Sequence, residues 1–158
     1  MHQRNNIYLA RDLMNIAIEE AKLSLLSGDV PVGAIILHNG EIISKQHNRV
    51  EECVAPAAHA ELLAIQDACN KLGTKFLEKC DMYVTLEPCA MCAGAIVLAR
   101  IRRLYIGAYN PKAGACRSVF NIVQNDKLNH FVDVYYGIRE KECSELLTNF
   151  FRKKRVMI

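Results

Sequence analysis

Residues 82–99 read MYVTLEPCAMCAGAIVLA. Met82–Leu86 is a short run of strand-favouring residues. Cys89–Ala99 is rich in small residues and reads as a helix suited to close packing. A strand passing directly into a helix is one half of an α/β repeat. The same stretch holds Cys89 and Cys92, just after the strand and in the first helical turn. Cys-x-x-Cys can be a redox pair, half of a structural zinc knuckle or part of a catalytic metal site. What else in the chain completes the pair decides among them.

On either side the chain alternates between helix and strand periods. Leu13, Met14, Ala17, Ile18, Ala21 and Leu25 recur at helical spacing between Tyr8 and Ser27. Val32–Leu37 reads as a strand, His38–Glu41 carries the Asn-Gly hairpin signal, and Glu41–Lys45 returns as a second strand. Asn48–Ala58 is turn-like, and Glu61–Leu72 predicts a helix with Gly73 beyond its end. Downstream come a strand at Arg103–Gly107 and a long irregular segment at Tyr109–Asn129. Irregular segments of that length inside a domain are often functional. Phe131–Tyr136 predicts a fifth strand and Glu140–Arg152 a closing helix. The expectation is a layered α/β domain with a mostly parallel sheet after an initial hairpin. Its ligand site belongs at strand ends and helix starts, where the two cysteines lie.

The 158 residues suit one domain, 1–158, and 51% hydrophobic with 23% charged residues is an ordinary globular balance. No apolar run approaches the ~18–20 residues of a membrane span. The opening MHQRNNIYLARDL has no apolar core of a secretory signal. Seven cysteines, an odd number without framework spacing, fit a reducing, cytoplasmic setting. A net charge of +3 does not by itself mark a nucleic-acid binder. The run Arg152, Lys153, Lys154, Arg155 reads equally as a solvated tail or a phosphate-contacting patch.

A catalytic zinc keeps three protein ligands and an open position, whereas a structural zinc needs four. No second Cys-x-x-Cys exists, and Cys53, Cys69, Cys80, Cys116 and Cys143 offer no knuckle spacing; they read as packing or surface thiols. Upstream, His59 opens an apolar-periodic helix and Glu61 follows two places later. Inside a helix such positions face apart, but a first residue outside helical geometry can turn both into one cavity. Helix starts favour thiolates. Zinc lowers the pKa of a water toward ~7, and a carboxylate off the metal can carry its proton. His59, Cys89 and Cys92 are the expected ligands and Glu61 the proton carrier. A structural histidine and a redox pair are the alternatives, and the conjunction of the two motifs outweighs them. His38 and His130 read as structural, and Tyr135 and Tyr136 as strand packing.

His-Ala-Glu with Pro-Cys-Ala-Met-Cys resembles the signature of the zinc nucleobase deaminases. Within that superfamily the chain is most similar to the bacterial tRNA-specific adenosine deaminases, from about Tyr8 to Arg155. Asp29–Ala34, His47–Arg49, Thr85–Ile96, Lys112–Ala115 and Phe150–Arg152 carry the likeness. The resemblance implies a three-layer α/β/α fold with a mixed five-stranded sheet and helices on both faces. It implies one Zn2+ per subunit and hydrolysis of adenosine to inosine at the wobble position of a tRNA anticodon, with tRNA-Arg the expected substrate. It gives Asn48, Val30, Pro31 and Ala60 to the base and Asn110, Lys112, Phe151 and Arg152 to RNA. It implies a homodimer bound to the anticodon stem-loop, with no membrane association. Asn110 stands where the family commonly has Asp, so a relaxed demand for RNA over DNA is expected there. Arg117 adds charge to the same loop, and Ala55–Ala58 lacks the usual Asp and Thr. Two rivals remain: a deaminase of free bases or nucleosides such as guanine or cytosine, and a non-catalytic zinc-stabilised RNA-binding module. Glu61, useless to a purely structural zinc site, argues against the second.

Overall fold

The computed structural model describes residues 2–157. Among these, the strands are β1 (Gly33–His38), β2 (Glu41–His47), β3 (Cys80–Leu86), β4 (Arg103–Ala108) and β5 (Asp133–Tyr135). They form one sheet in the order β2-β1-β3-β4-β5. The helices are α1 (His2–Lys22), α2 (Val50–Cys53), α3 (Ala60–Leu72), α4 (Ala90–Leu98) and α5 (Glu140–Val156).

Period-two alternation sorts each central strand onto two cores. Ala34, Ile36, Met82, Val84, Leu104 and Ile106 are buried with Ala60, Ala64 and Ala68 of α3 and Ile96 of α4. Ile35, Leu37 and Tyr83 are buried with Leu13, Met14, Ala17 and Ile18 of α1 and Cys143 of α5. Both faces are covered, which gives three layers and explains why the strands read as unbroken apolar runs. The alanine stripe of α3 leaves no side chain longer than a methyl on that line, so the helix lies close against the sheet.

The hairpin forms as its sequence requires. Asn39 and Gly40 both take positive φ, 51° and 79°, the conformation of a type I′ turn. The sheet is mixed, as the resemblance implies: β3, β4 and β5 are mutually parallel beyond the initial hairpin, and β1 also runs antiparallel to β3. Elsewhere the structure departs from the expected elements. The first helix tightens into a 3-10 turn over Leu23–Ser27. The turn-like Asn48–Ala58 segment contains α2. The fifth strand shrinks to three residues, with Asp133 and Tyr135 exposed at the sheet edge.

One glycine fixes the approach of α1 to the sheet. A Cβ on Gly33 would stand 2.1 Å from the Ala17 carbonyl oxygen and 2.7 Å from the Ala21 nitrogen. Both obstacles are backbone atoms, so α1 or β1 would have to move. Gly33→Ala is expected to lower stability by about 1–3 kcal/mol, the usual cost of overpacking a core. Urea unfolding reads this as a lower midpoint with an unchanged slope.

Candidate active site

The site begins with two residues that stand at helix starts without being helical. His59 precedes α3 at φ −75°, ψ 147°, and Cys89 precedes α4 at φ −72°, ψ 176°. Extended geometry at His59 turns its ring toward the cavity that Glu61 also reaches from the first turn. His59 Nδ1 lies 3.6 Å from Cys89 Sγ and 3.5 Å from Cys92 Sγ. The three ligand atoms fall within 4.8 Å of one another. A tetrahedral zinc with bonds of ~2.0–2.1 Å to nitrogen and ~2.3 Å to sulfur sets N and S about 3.5 Å apart. One imidazole and two thiols at this spacing therefore fit a three-ligand zinc site with one open position. The other five cysteines lie outside the cluster.

Charge in the cluster is unevenly held. Hydrogen bonds from Cys92 and His59 lower the Cys89 thiol to about 3, while the same bond and burial push Cys92 up. His59 is raised, mainly by its bond to Cys89. Glu61 is 4% exposed, and its Oε2 lies 3.6 Å from Cys92 Sγ. Burial raises its pKa, more than its own backbone N–H and His59 lower it. Burial thus favours the protonated form of this carboxyl more than solvent exposure would.

The concave pocket over the cluster is lined by Val30, Val32, Asn48, Ala60 and Leu86 besides His59, Glu61, Glu87, Cys89 and Asn110. Of the residues the resemblance gives to the base, Val30, Asn48 and Ala60 line this pocket, while Pro31 is buried next to Val30 outside the lining and Val32 takes a place on the wall. Asn48 is 8% exposed. Its backbone N–H donates to Val32 O and its Nδ2 to Val30 O, at 3.0 and 3.1 Å. Its Oδ1 has no partner. An unsatisfied buried acceptor at a pocket wall is a ready contact for a bound group. Among the expected RNA contacts, Asn110 is at the pocket and its Oδ1 accepts from Ala113 N at 3.2 Å. Lys112, Phe151 and Arg152 are exposed and away from the pocket, the last two on α5. His130 bonds the Ile101 carbonyl at 2.6 Å, a structural role.

Two carboxylates escaped the sequence reading. Asp29 is buried and accepts from Ser27 Oγ and from the Glu51 and Glu52 N–H groups at the start of α2. Burial raises its pKa, but those three bonds lower it further, for a net fall. Glu87, 1% exposed, organises the loop after β4. Its Oε1 accepts from Asn110 N at 3.1 Å, and its Oε2 from Cys116, Arg117 and Ser118 N at 3.2, 2.9 and 2.9 Å. The Ser118 hydroxyl also donates to it. A Cβ on Gly114 would stand 2.4 Å from the Glu87 carboxyl carbon, so only glycine lets the loop close around it. Burial raises the Glu87 pKa, and the Ser118 hydroxyl with the loop N–H groups outweighs it, leaving it lowered. A charged residue two places before Cys89, in an otherwise apolar strand end, was the available signal.

Both carboxylates give measurable expectations. Because Asp29 titrates lower when folded, its stabilisation is present above the unfolded value of ~4 and is lost as pH falls through the folded pKa. Asp29→Asn should cost about 1–3 kcal/mol at pH 7, and in urea melts the gap to wild type should narrow progressively as pH falls below ~4. For Glu87→Gln, one acceptor oxygen becomes a donor facing N–H groups. Amide exchange at Asn110, Cys116, Arg117 and Ser118 should then accelerate by about one to two orders of magnitude, with α3 amides unchanged.

Comparison with known proteins agrees with this geometry. The sequence pattern of the cytidine and deoxycytidylate deaminase zinc-binding region matches residues 8–108. The tRNA-specific adenosine deaminase of Aquifex aeolicus is 53% identical over 143 residues, 90% of this chain and 93% of that protein. The enzyme of the same name from Bacillus subtilis is 46% identical over 142 residues, 90% of this chain and 88% of that protein. A structure solved in work on A-to-I editing by tRNA:A34 deaminases superposes with a TM-score of 0.82 at 44% identity, covering 85% of this chain and 97% of that one. A chain with this fold, this ligand triad and these relatives belongs to the tRNA-specific adenosine deaminases of the cytidine and deoxycytidylate deaminase family.

Proposed function

We propose that this protein converts adenosine to inosine at the wobble position of a tRNA anticodon, with tRNA-Arg as substrate. The observation that carries this is the buried carboxyl of Glu61 beside the His59, Cys89 and Cys92 triad, in one pocket. Adenosine and water give inosine and ammonia: oxygen adds at C6 and the exocyclic amine leaves. Zinc bound to His59 Nδ1 and the two thiolates would supply the Lewis acid that acidifies a water at neutral pH. Glu61 moves the protons, from the water to the ring nitrogen and then to the departing amine. Burial suits it to this exchange, because its carboxyl gives up and regains a proton more evenly than an exposed one.

Asn48 orients the base. One N–H of Nδ2 is committed to Val30 O, which leaves Oδ1 and the second N–H free. That acceptor–donor pair matches the amino and N7 edge of adenine. Val30 and Ala60 form the apolar walls, and Pro31 fixes the chain behind them. Lys112, Phe151 and Arg152 contact the RNA outside the pocket. Asn110 carries no charge to repel sugar or phosphate oxygens, which lowers the discrimination against DNA. The chain acts as one domain, 1–158, in a cytoplasmic homodimer with one zinc per subunit on an anticodon stem-loop. Among the described residues no helix is long and apolar enough to cross a membrane.

The test is sequencing of an arginine-tRNA anticodon stem-loop with a wobble adenosine after incubation with zinc-loaded protein. Inosine reads as guanosine, so an A-to-G change at that position is expected. Glu61→Ala should abolish the change, by at least about 10²-fold, while zinc content measured by mass spectrometry stays at one per chain. No change with folded, zinc-loaded wild type moves the assignment to free guanine or cytosine.

A further inference from the structure

Three side chains beside the pocket have no role in the chemistry above. Tyr109 follows the last residue of β4, and Tyr136 follows the last residue of β5. Those strands are parallel to β3, whose end leads into Glu87 and Cys89. Both tyrosines therefore stand at the same sheet edge as the pocket, and Tyr109 is next in sequence to the pocket-lining Asn110. Their rings are stacked, with centroids 5.6 Å apart and planes 10° from parallel. The Tyr136 hydroxyl donates to the Cys116 carbonyl at 2.8 Å. The Arg117 guanidinium lies 5.5 Å from the centre of the Tyr136 ring, within cation–π range. Arg117 is exposed and, among the described residues, forms no salt bridge.

This arrangement is rigid for an exposed group. The Tyr136 ring is tied through its hydroxyl, and the Arg117 backbone is tied to Glu87. Tyr109 nonetheless remains 37% exposed. A fixed aromatic face with a nearby free cation is what single-stranded nucleic acid uses as a stacking platform, because every base has a π-face and every nucleotide a phosphate. Placing the target base in the pocket takes it out of its stack. The adjoining nucleotide then has an unstacked face within one residue's reach of the pocket mouth.

We propose that Tyr109, held by Tyr136 and flanked by Arg117, is the stacking platform for a nucleotide adjoining the target adenosine, with Arg117 on its phosphate. This rests on the RNA-deaminase assignment and extends it to a contact outside the pocket. It makes Tyr109 a determinant of substrate affinity and of the preference for a strand over a free nucleoside.

The test uses zinc-loaded dimer or monomer as purified and three stem-loops: intact, abasic on the 5′ side of the wobble adenosine, and abasic on the 3′ side. Kd is read by fluorescence anisotropy beside deamination rates. For the wild type, one of the two abasic sites should weaken binding about tenfold. Tyr109→Leu should bind the intact stem-loop about tenfold more weakly and lose nothing further at that abasic site. Tyr109→Phe, which keeps the ring, should bind as the wild type does, and Arg117→Gln should flatten the salt dependence of Kd. Penalties that multiply at both flanks, or wild-type affinity in Tyr109→Leu, overturn the platform while leaving the deaminase assignment intact. Absence of any deamination of the intact stem-loop by the wild type overturns both.

Discussion

The site depends on the direction of β1. This strand lies between β2 and β3 and runs antiparallel to both. Its neighbours therefore point the same way and end at the same edge of the sheet. The chain leaving β2 leads through α2 to α3, and the chain leaving β3 leads to α4. Both helices consequently start at one edge and run along one face, which brings His59 to Cys89 across 30 positions of sequence. Were β1 parallel to either neighbour, the two helix starts would stand at opposite ends of the sheet. Gly33 and the Thr85 hydroxyl that accepts from its N–H at 3.0 Å anchor this strand where it emerges near the pocket.

Two carboxylates at the pocket are driven in opposite directions by what surrounds them. Glu61 and Glu87 are both almost fully buried, so burial alone would make both harder to ionise. Glu87 receives four backbone N–H groups and a hydroxyl, and remains charged. Glu61 lacks such a ring of donors, and burial prevails. Donor count therefore decides the direction in which each buried carboxyl is shifted. The split follows the general pattern in which paired acids acquire distinct roles through their environments.

Much of this was legible in the sequence, and the reason differs from element to element. Asn39-Gly40 specified its turn because only two residues decide that conformation. His59, Glu61, Cys89 and Cys92 were legible because metal chemistry restricts residue type and number, and the family resemblance reinforced them. The α2 helix was not visible, because its capping carboxylate, Asp29, stands 22 positions earlier. Glu87 was hidden for the same reason: its donors lie 23 to 31 positions later. The antiparallel pairing of β1 with β3 was not legible, because strand periodicity carries no information about which neighbour a strand pairs with. Local chemistry is readable along the chain, and partnerships across it are not.

The way Glu87 holds the loop after β4 also separates what can vary there from what cannot. The carboxylate binds backbone N–H groups of Asn110, Cys116 and Arg117, which any residue except proline would offer. Gly114 is constrained by contact with the carboxyl group, and Ser118 by its hydroxyl. The side chains of Tyr109, Lys112 and Arg117 carry no part of this hold, and all three are exposed. A second tie, from Ala115 N to Pro88 O at 2.8 Å, fastens the loop directly beside Cys89. These exposed positions can therefore change without shifting Cys89. The loop's backbone is fixed from beneath by Glu87 and Pro88, and its exposed side chains are free above.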